Sequence, residues 1–399
     1  MPHICLKGPI FDGTEYSDDG VVVVDQTSGT ISAVGRSGEV EEPKDATIVS
    51  VRDTTILPGL IDAHMHFFGC KGSDLLELVT KPDIELALRS VHHMQQLLNA
   101  GFTYVRDLGS KVGTYLSRAV DEGLVDGPRI VTSGRSLGQT GGDDDPVSLP
   151  LDLAHRLSYS YYCDGPWECR KAVRMLVRDG AGVVKVYASG SFSQGGRIRT
   201  QFTVEELKTI VDEAHRVGLR VAGHAYGEEA LANIVEAGMD SIEHGIGLTP
   251  EIAERIKSKG MFYVPTISAY LAFFKLPSDN KERDKLIQRH YKEDMEIAKQ
   301  FGLKIVAGTD YGGSDRDPHG DNAKEIVNLA KFFGNKEALI AGTAQAANCL
   351  GLTNTGRIKK GFDADLIVVR GNPLKNPETL SQPNIVCVVA RGKLHRLIS

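Results

Sequence analysis

Two histidines one residue apart, His64 and His66, close the apolar run Ile56-Leu57-Pro58-Gly59-Leu60-Ile61-Asp62-Ala63-His64-Met65-His66. The run is short and β-branched enough to be a strand, and side chains two apart on a strand share a face. His64 and His66 are therefore expected to point the same way at its C-terminal end. Two neutral imidazoles so placed can grip one metal ion, because imidazole nitrogen is a common ligand for zinc and similar metals. A pair of surface histidines beside a turn would give the same pattern, so the run decides nothing alone.

Further residues of the right type stand in comparable places. His224 closes Arg220-Val221-Ala222-Gly223-His224, His244 closes Ser241-Ile242-Glu243-His244, and Asp310 closes Lys304-Ile305-Val306-Ala307-Gly308-Thr309-Asp310. Lys185 is the odd member, set among Val183, Val184 and Val186. Burial there would make an ammonium expensive and lower its pKa. A neutral buried amine can react with carbon dioxide to form a carbamate, whose two oxygens can bridge two metal ions. A lysine paired with a carboxylate, or reaching to solvent, is the plainer reading of that residue taken singly.

The elements that must position these groups alternate in type. From Ile56 onward short apolar strands are each followed by an amphipathic segment. Strand one ends at His66, and strands two and three cover Phe102 to Asp107 and Arg129 to Thr132. Strand four spans Gly182 to Ala188, and strands five to eight Arg220 to His224, Ser241 to His244, Met261 to Pro265 and Lys304 to Asp310. Helices are expected over Ile84 to Ala100, Pro166 to Asp179, Gly227 to Ala237 and Lys281 to Phe301. Another starts at Thr203 in a capping box with Glu206. A long Gly/Asp-rich loop runs from Gly134 to about Cys163, and such loops are often functional. Eight strand-then-helix units predict a (β/α)8 TIM barrel over residues 56–356. In that architecture the C-terminal strand ends converge on one pocket, so the six residues would meet there. Scattered histidines (the chain has 12) would fall anywhere.

Both ends of the chain are β in texture. Val21 to Val24 and Thr30 to Gly35 form a hairpin pattern, and Leu366 to Val369 and Ile385 to Ala390 are further strands. Neither end is large enough for a core of its own, so residues 1–55 and 357–399 are expected to form one small β-sandwich. Composition is that of an ordinary globular chain, 41% hydrophobic and 25% charged, and the net charge of −6 argues against nucleic-acid binding. No apolar run is long enough for a membrane span, and the residues after Met1-Pro2 lack the pattern of a secretory signal. Six scattered cysteines without a framework read as free thiols in the cytoplasm.

Taken together, His64-Met65-His66, Lys185, His224, His244 and Asp310 resemble the amidohydrolase superfamily. The flanking Leu57-Pro58-Gly59-Leu60-Ile61-Asp62-Ala63 is similar to its strand-one signature, and Gly361-Phe362-Asp363-Ala364-Asp365-Leu366 to the mark of its C-terminal β-sandwich. More narrowly, Asp164-Gly165-Pro166, Phe202-Thr203 with Glu205-Glu206, Ala222 to Gly227 and His319 to Ala323 resemble one branch. That branch holds metal-dependent prolidase-like dipeptidases, arginine/lysine carboxypeptidase-like enzymes and ochratoxin-hydrolysing amidases.

The resemblance implies a metal-dependent hydrolase acting on a carbon–nitrogen bond of a small dipeptide or N-acyl amino acid. It implies two divalent ions, zinc by expectation: one on His64, His66 and Asp310, the other on His224 and His244. Carboxylated Lys185 and a hydroxide would bridge them. Asp310 would carry the proton from hydroxide to leaving amine, and Tyr226 is a candidate donor to the substrate, or an aromatic packed at a helix start. Similar enzymes are often oligomeric, so a homo-oligomer is expected. One departure stands out: relatives usually read Thr-Gly-Gly-His after strand three, whereas this chain has Thr140-Gly141-Gly142-Asp143, followed by Asp144 and Asp145. Either that loop points away, as a solvated tip would, or the substrate is neutral or cationic near Asp143. A mononuclear deaminase usually lacks the strand-four lysine. A lactonase or phosphotriesterase would use the same hydroxide, and a barrel turned scaffold would usually have lost ligands.

Overall fold

Gly59 divides the run that ends in His66. In the computed structural model, Thr54–Pro58 is one strand and Leu60–Met65 another, and they belong to different sheets. The first pairs antiparallel with Leu366–Arg370, and the second pairs parallel with Phe102–Asp107. A Cβ on Gly59 would collide with the Thr103 side chain, so only glycine lets the chain pass here. The Gly59 N–H donates to the Asp365 carbonyl at 2.8 Å, which ties the crossing to the terminal sheet. The single strand expected from Ile56 is thus two. Residues 3–72, 76–192, 198–273 and 280–397 are described; Met1 and Pro2, and the last two residues of the terminal β segment, lie outside them.

The parallel strands form two sheets. Three strands run in the order Arg129–Thr132, Phe102–Asp107, Leu60–Met65. Seven run in the order Ser160–Tyr162, Ser136–Gly138, Val183–Tyr187, Arg220–Tyr226, Ser241–Ile246, Phe262–Val264, Lys304–Ile305. Hydrogen bonds join them at two edges. Gly182 N–H donates to the Thr132 carbonyl at 2.8 Å; Asp310 N–H donates to the His64 carbonyl at 2.7 Å and His66 N–H to that of Tyr311 at 2.8 Å. Every residue of Leu60–Met65, Val183–Tyr187 and Ser241–Ile246 is buried, as befits strands covered on both faces. The connecting helices start and stop where side chains direct. Thr203 and Glu206 form the capping box, Oγ1 accepting from Glu206 N–H at 3.3 Å and the carboxylate from Thr203 N–H at 2.7 Å.

Two expectations are corrected. The segment after strand three is not one irregular loop: it holds strands Ser136–Gly138 and Ser160–Tyr162 and helix Leu151–Leu157. Its acidic run is not a solvated tip, since Asp143 and Asp145 are both buried. The helix from Lys281 is also not uniform: Lys281–Arg289 and Met295–Phe301 are α-helical, with one π-helical turn, His290–Asp294, between them.

The chain termini build two antiparallel-rich sheets. One has the order Thr30–Gly35, Val21–Asp25, His3–Lys7, Thr47–Ser50. The other runs Lys393–Leu397, Ile385–Ala390, Leu366–Arg370, Thr54–Pro58, Ile10–Phe11, Tyr16–Ser17. Leu366 and Val368 join Ile4, Leu6, Val22 and Val24 in one apolar cluster, while Ile367 and Val369 join the main cluster beneath the parallel strands. Strand alternation thus lets the larger terminal sheet serve two cores. No described helix is long and apolar enough to cross a membrane, and all six cysteines are buried as thiols outside any disulfide.

Candidate metal centre

His64 and His66 leave the first parallel strand on one face, as alternation requires, and both rings approach Asp310. The His66 Nε2 lies 3.0 Å and the His64 Nε2 3.3 Å from the same Asp310 oxygen, Oδ1. The His244 ring centroid is 5.0 Å from that of His64 and 4.5 Å from that of His224. Lys185 and His224 come from neighbouring parallel strands, with Tyr187 opposite His224 in the register. Lys185, His66, His224, Tyr226, His244 and Asp310 line one cavity of about 300 Å³, and His64, fully buried, reaches it through Asp310. All seven residues singled out from the sequence are thus brought to one place. Within it, ligand atoms of His64, His244 and Asp310 all lie within 4.8 Å of one another.

Outer partners fix which ring nitrogens face inward. The His64 Nδ1 is 2.9 Å from Glu243 Oε2, and His66 Nδ1 is 2.9 Å from the Gly109 carbonyl. Both partners accept only, so each Nδ1 donates outward, and with a cation in place each Nε2 would turn its lone pair to it. His244 Nδ1 sits 2.8 Å from the Thr266 hydroxyl. The Nε2 atoms of His64 and His224 are buried without a hydrogen-bond partner. Buried nitrogen lone pairs left unpaired are unusual, and a cation bound at each would satisfy it. The donor set of imidazole and carboxylate suits zinc and its neighbours. These residues fit a divalent metal.

Glu243 is the support that the sequence did not disclose. Its Oε1 accepts from Arg106 at 2.8 Å and from Ser241 Oγ at 2.5 Å, and Arg106 Nε also donates to the Ala63 carbonyl at 2.5 Å. Burial works to raise the Glu243 pKa, but Arg106 and His64 overcome it and hold the carboxyl down at about 2. Asp62 does a similar service on the other side, accepting from Thr309 Oγ1 at 2.7 Å and Asn322 Nδ2 at 2.7 Å. The backbone is also held out of its ordinary range: His244, Asp310 and Thr266 have φ of 68°, 59° and 51°. Left-handed conformations are uncommon outside glycine, most of all for a β-branched residue, and they cluster at functional sites. Gly308 permits the close approach, since a Cβ there would stand 2.8 Å from His64 Cβ.

The charge states follow from burial and neighbours. Burial draws the Lys185 amine down to about 8, against the opposing pull of Glu243 and Asp310. Burial, helped by Lys185, pushes His224 well below the usual imidazole range, and burial with His224 does the same to His244, so both are neutral. For Asp310 burial acts to raise the pKa, yet the surrounding histidines outweigh it and keep a carboxylate. Neutral imidazoles beside a carboxylate are the forms that ligate metal.

The cavity wall is aromatic: Phe68, Tyr159, Tyr187, Phe192, Tyr226 and Tyr270. Phe68 stacks on His66 at 4.5 Å, and the Tyr226 hydroxyl is 2.8 Å from that of Tyr270. Asp143 also lines the cavity, its Oδ1 accepting from Ser191 N–H at 2.7 Å and Oγ at 2.8 Å. The alternative that its loop points away is therefore overturned.

The profile of the amidohydrolase family matches residues 55–395. Ochratoxinase of Aspergillus niger is 30% identical over 409 aligned residues, covering 96% of this chain and 83% of that protein. The crystal structure of A. niger ochratoxinase superposes with a TM-score of 0.91 at 28% identity, covering 100% of this chain and 96% of the other. A prolidase solved with N-methylphosphonate-L-proline gives a TM-score of 0.90 at 32% identity, over 99% of this chain and 100% of that one. A Xaa-Pro dipeptidase with methionine in its active site gives 0.87 at 30%, over 99% and 100%.

Proposed function

The chain belongs to the amidohydrolase family, and from that premise we propose that it is a metal-dependent hydrolase of the amide bond in a dipeptide or N-acyl amino acid. The observation that carries the reading is the meeting of His64, His66, Lys185, His224, His244 and Asp310 around inward-facing, unpartnered nitrogens. The names of the ochratoxinase and of the two proline-dipeptide enzymes it resembles support an amide over an ester. In this reading the parallel strands form one (β/α)8 barrel, entered at Gly59 and left near Gly356, with the chain ends packed beside it as a β-sandwich. Buried thiols outside any disulfide suit a reducing cytoplasm, and a homo-oligomeric assembly is read by light scattering.

His64, His66 and Asp310 would hold one divalent ion and His224 and His244 the second, with Lys185 between them as its carbamate. Two such ions, zinc by the donor set, would supply acidity to a bound water and would polarise the scissile carbonyl. The carbamate forms when the Lys185 amine, uncharged, attacks carbon dioxide and releases a proton. Asp310, a carboxylate at working pH, takes the proton of the attacking water and hands it to the leaving amine. Tyr226, its hydroxyl placed by the contact with that of Tyr270, holds the substrate carbonyl or carboxylate. The aromatic wall excludes water around the bond being cut.

The test is a panel of Xaa-Pro, Xaa-Lys/Arg and N-acyl amino acids run beside lactones and phosphotriesters with zinc-loaded protein. Turnover of an amide, lost on chelation and regained with zinc and bicarbonate, is expected. A preference for lactones or phosphotriesters would replace the amide reading by an esterase of the same site. Undiminished turnover in the metal-free protein would end the metal reading.

A further inference from the structure

Behind the cavity wall, the π-helical turn His290–Asp294 brings two ionisable side chains to one buried point, His290 1% and Asp294 0% exposed. His290 Nδ1 lies 3.0 Å from Asp294 Oδ2, and its Nε2 lies 2.9 Å from the Pro265 carbonyl. Both partners are acceptors: a backbone carbonyl accepts only, and this carboxylate oxygen also receives the Gly247 N–H at 2.9 Å. A neutral imidazole has a single N–H and would leave one of these contacts as two lone pairs facing each other. Opposite an ionised carboxylate, only the imidazolium, with both nitrogens protonated, satisfies both.

What this ring touches leads back to the site along three paths. Pro265 precedes Thr266, whose left-handed backbone presents its hydroxyl to His244 Nδ1 at 2.8 Å. The Tyr270 ring packs edge-on to His290 at 5.3 Å, and its hydroxyl meets that of Tyr226. Asp294, through Gly247, holds the turn three residues after His244. A regular α-helix puts residues four apart one above the other, whereas the wider π-turn carries an extra residue, and such turns recur at functional sites.

We propose that His290 is a positioning residue, held as a buried imidazolium by Asp294, that fixes Thr266 behind His244 and Tyr270 behind Tyr226. The proposal rests on the reading of His244 as a metal ligand. Asp294 balances the charge, and Arg289, with Nε 3.6 Å from Asp294 Oδ1, is the other charged group facing the pair. Tyr270 and Tyr263 are the titratable side chains packed nearby; Tyr263 donates instead to the Gly245 carbonyl at 3.0 Å.

The experiment has two readouts, neither requiring a known substrate. In wild-type protein labelled with ¹⁵N-histidine, the His290 signals, assigned by their loss in His290→Gln, should show protons on both ring nitrogens at neutral pH. A single bare nitrogen would overturn the proposal. In parallel, zinc affinity is measured by competition with a chromogenic chelator. His290→Gln, able to offer one donor only, should bind about 10-fold or more weaker while keeping its secondary structure; wild-type affinity in a folded variant would overturn the positioning role. If wild-type protein binds no zinc while His290 is doubly protonated, the metal reading fails and the positioning role falls with it. If zinc binds and His290 has a bare nitrogen, only the present inference fails.

Discussion

Lys185 sits where a lysine is hardest to keep charged, 1% exposed among valines on a fully buried strand. Its lowered pKa enlarges the uncharged fraction at neutral pH, and that fraction is the one able to take up carbon dioxide. If Lys185 carries the proposed carbamate, Lys185→Ala removes the bridge between the two imidazole groups, and activity is then expected to fall by about 10- to 100-fold, with partial recovery in formate or acetate. Wild-type turnover in that variant would remove the residue from the mechanism. Asp310 is the other chemically committed side chain, and its φ of 59° is one that asparagine tolerates. Asp310→Asn should therefore keep the fold while kcat falls by roughly 100- to 10,000-fold, the range for loss of a general acid–base group. A loss below about tenfold moves the proton transfer to another group. The ligand-type residues were legible because each closes an apolar strand and strand alternation is simple. Glu243 was not, because alternation puts it and His244 on opposite faces. The left-handed backbone at His244 breaks that rule, so that both reach His64, and no spacing in the sequence announces a positive φ.

At the scale of elements, helix-to-helix contacts hold the outer layer together, and several of them are electrostatic. Glu213 on helix Val204–Arg216 accepts from Arg216 at 2.5 Å and from Arg174, on helix Pro166–Asp179, at 2.7 Å. These bonds, against a smaller effect of burial, lower its pKa from 4.5 to about 2. A depressed folded-state pKa means the folded form binds the proton less readily than the unfolded form. The contribution is then fully present above the unfolded value near 4.5 and is lost as pH falls towards about 2. Both arginines are largely exposed, so screening limits it to about 1 kcal/mol. Glu213→Gln should lower the unfolding free energy by that amount at pH 7, and its deficit should shrink steadily in urea titrations towards about pH 3. A deficit independent of pH would assign the loss to packing instead. The rhythm of strand and helix was readable because period-2 and period-3.6 patterns alternate cleanly. Two elements escaped it for physical reasons. Strands Ser136–Gly138 and Ser160–Tyr162 span too few residues to show a period, and a π-turn shifts the helical phase without changing composition.

At the scale of the whole molecule, the candidate site draws on strands one, four, five and six and on the segment after strand eight, which are far apart in sequence. Cations bound there would cross-link the parallel sheets at the seam where Asp310 and Tyr311 meet His64 and His66. Any ligand that binds only the folded chain adds RT ln(1 + [L]/Kd), about 2.7 kcal/mol at a hundredfold excess over Kd. For a chain of this length, an unfolding entropy of about 2.1 cal/mol/K per residue converts that to roughly 3 °C for each ion. The shift should appear in one transition and not split it. Arg129 on the third parallel strand pairs with Asp363, Gly59 is bonded to Asp365, and Ile367 and Val369 pack into the same cluster as Leu97 and Val105. The terminal sheets therefore cannot melt without exposing the core under the parallel strands. Calorimetry before and after exhaustive chelation, with metal content measured alongside, is expected to show about two ions per chain, a single peak lowered by several degrees, and its return with zinc. Loss of the ions with no change in that peak would mean that they do not bridge the strands, and the placement of both on these six side chains would have to be abandoned.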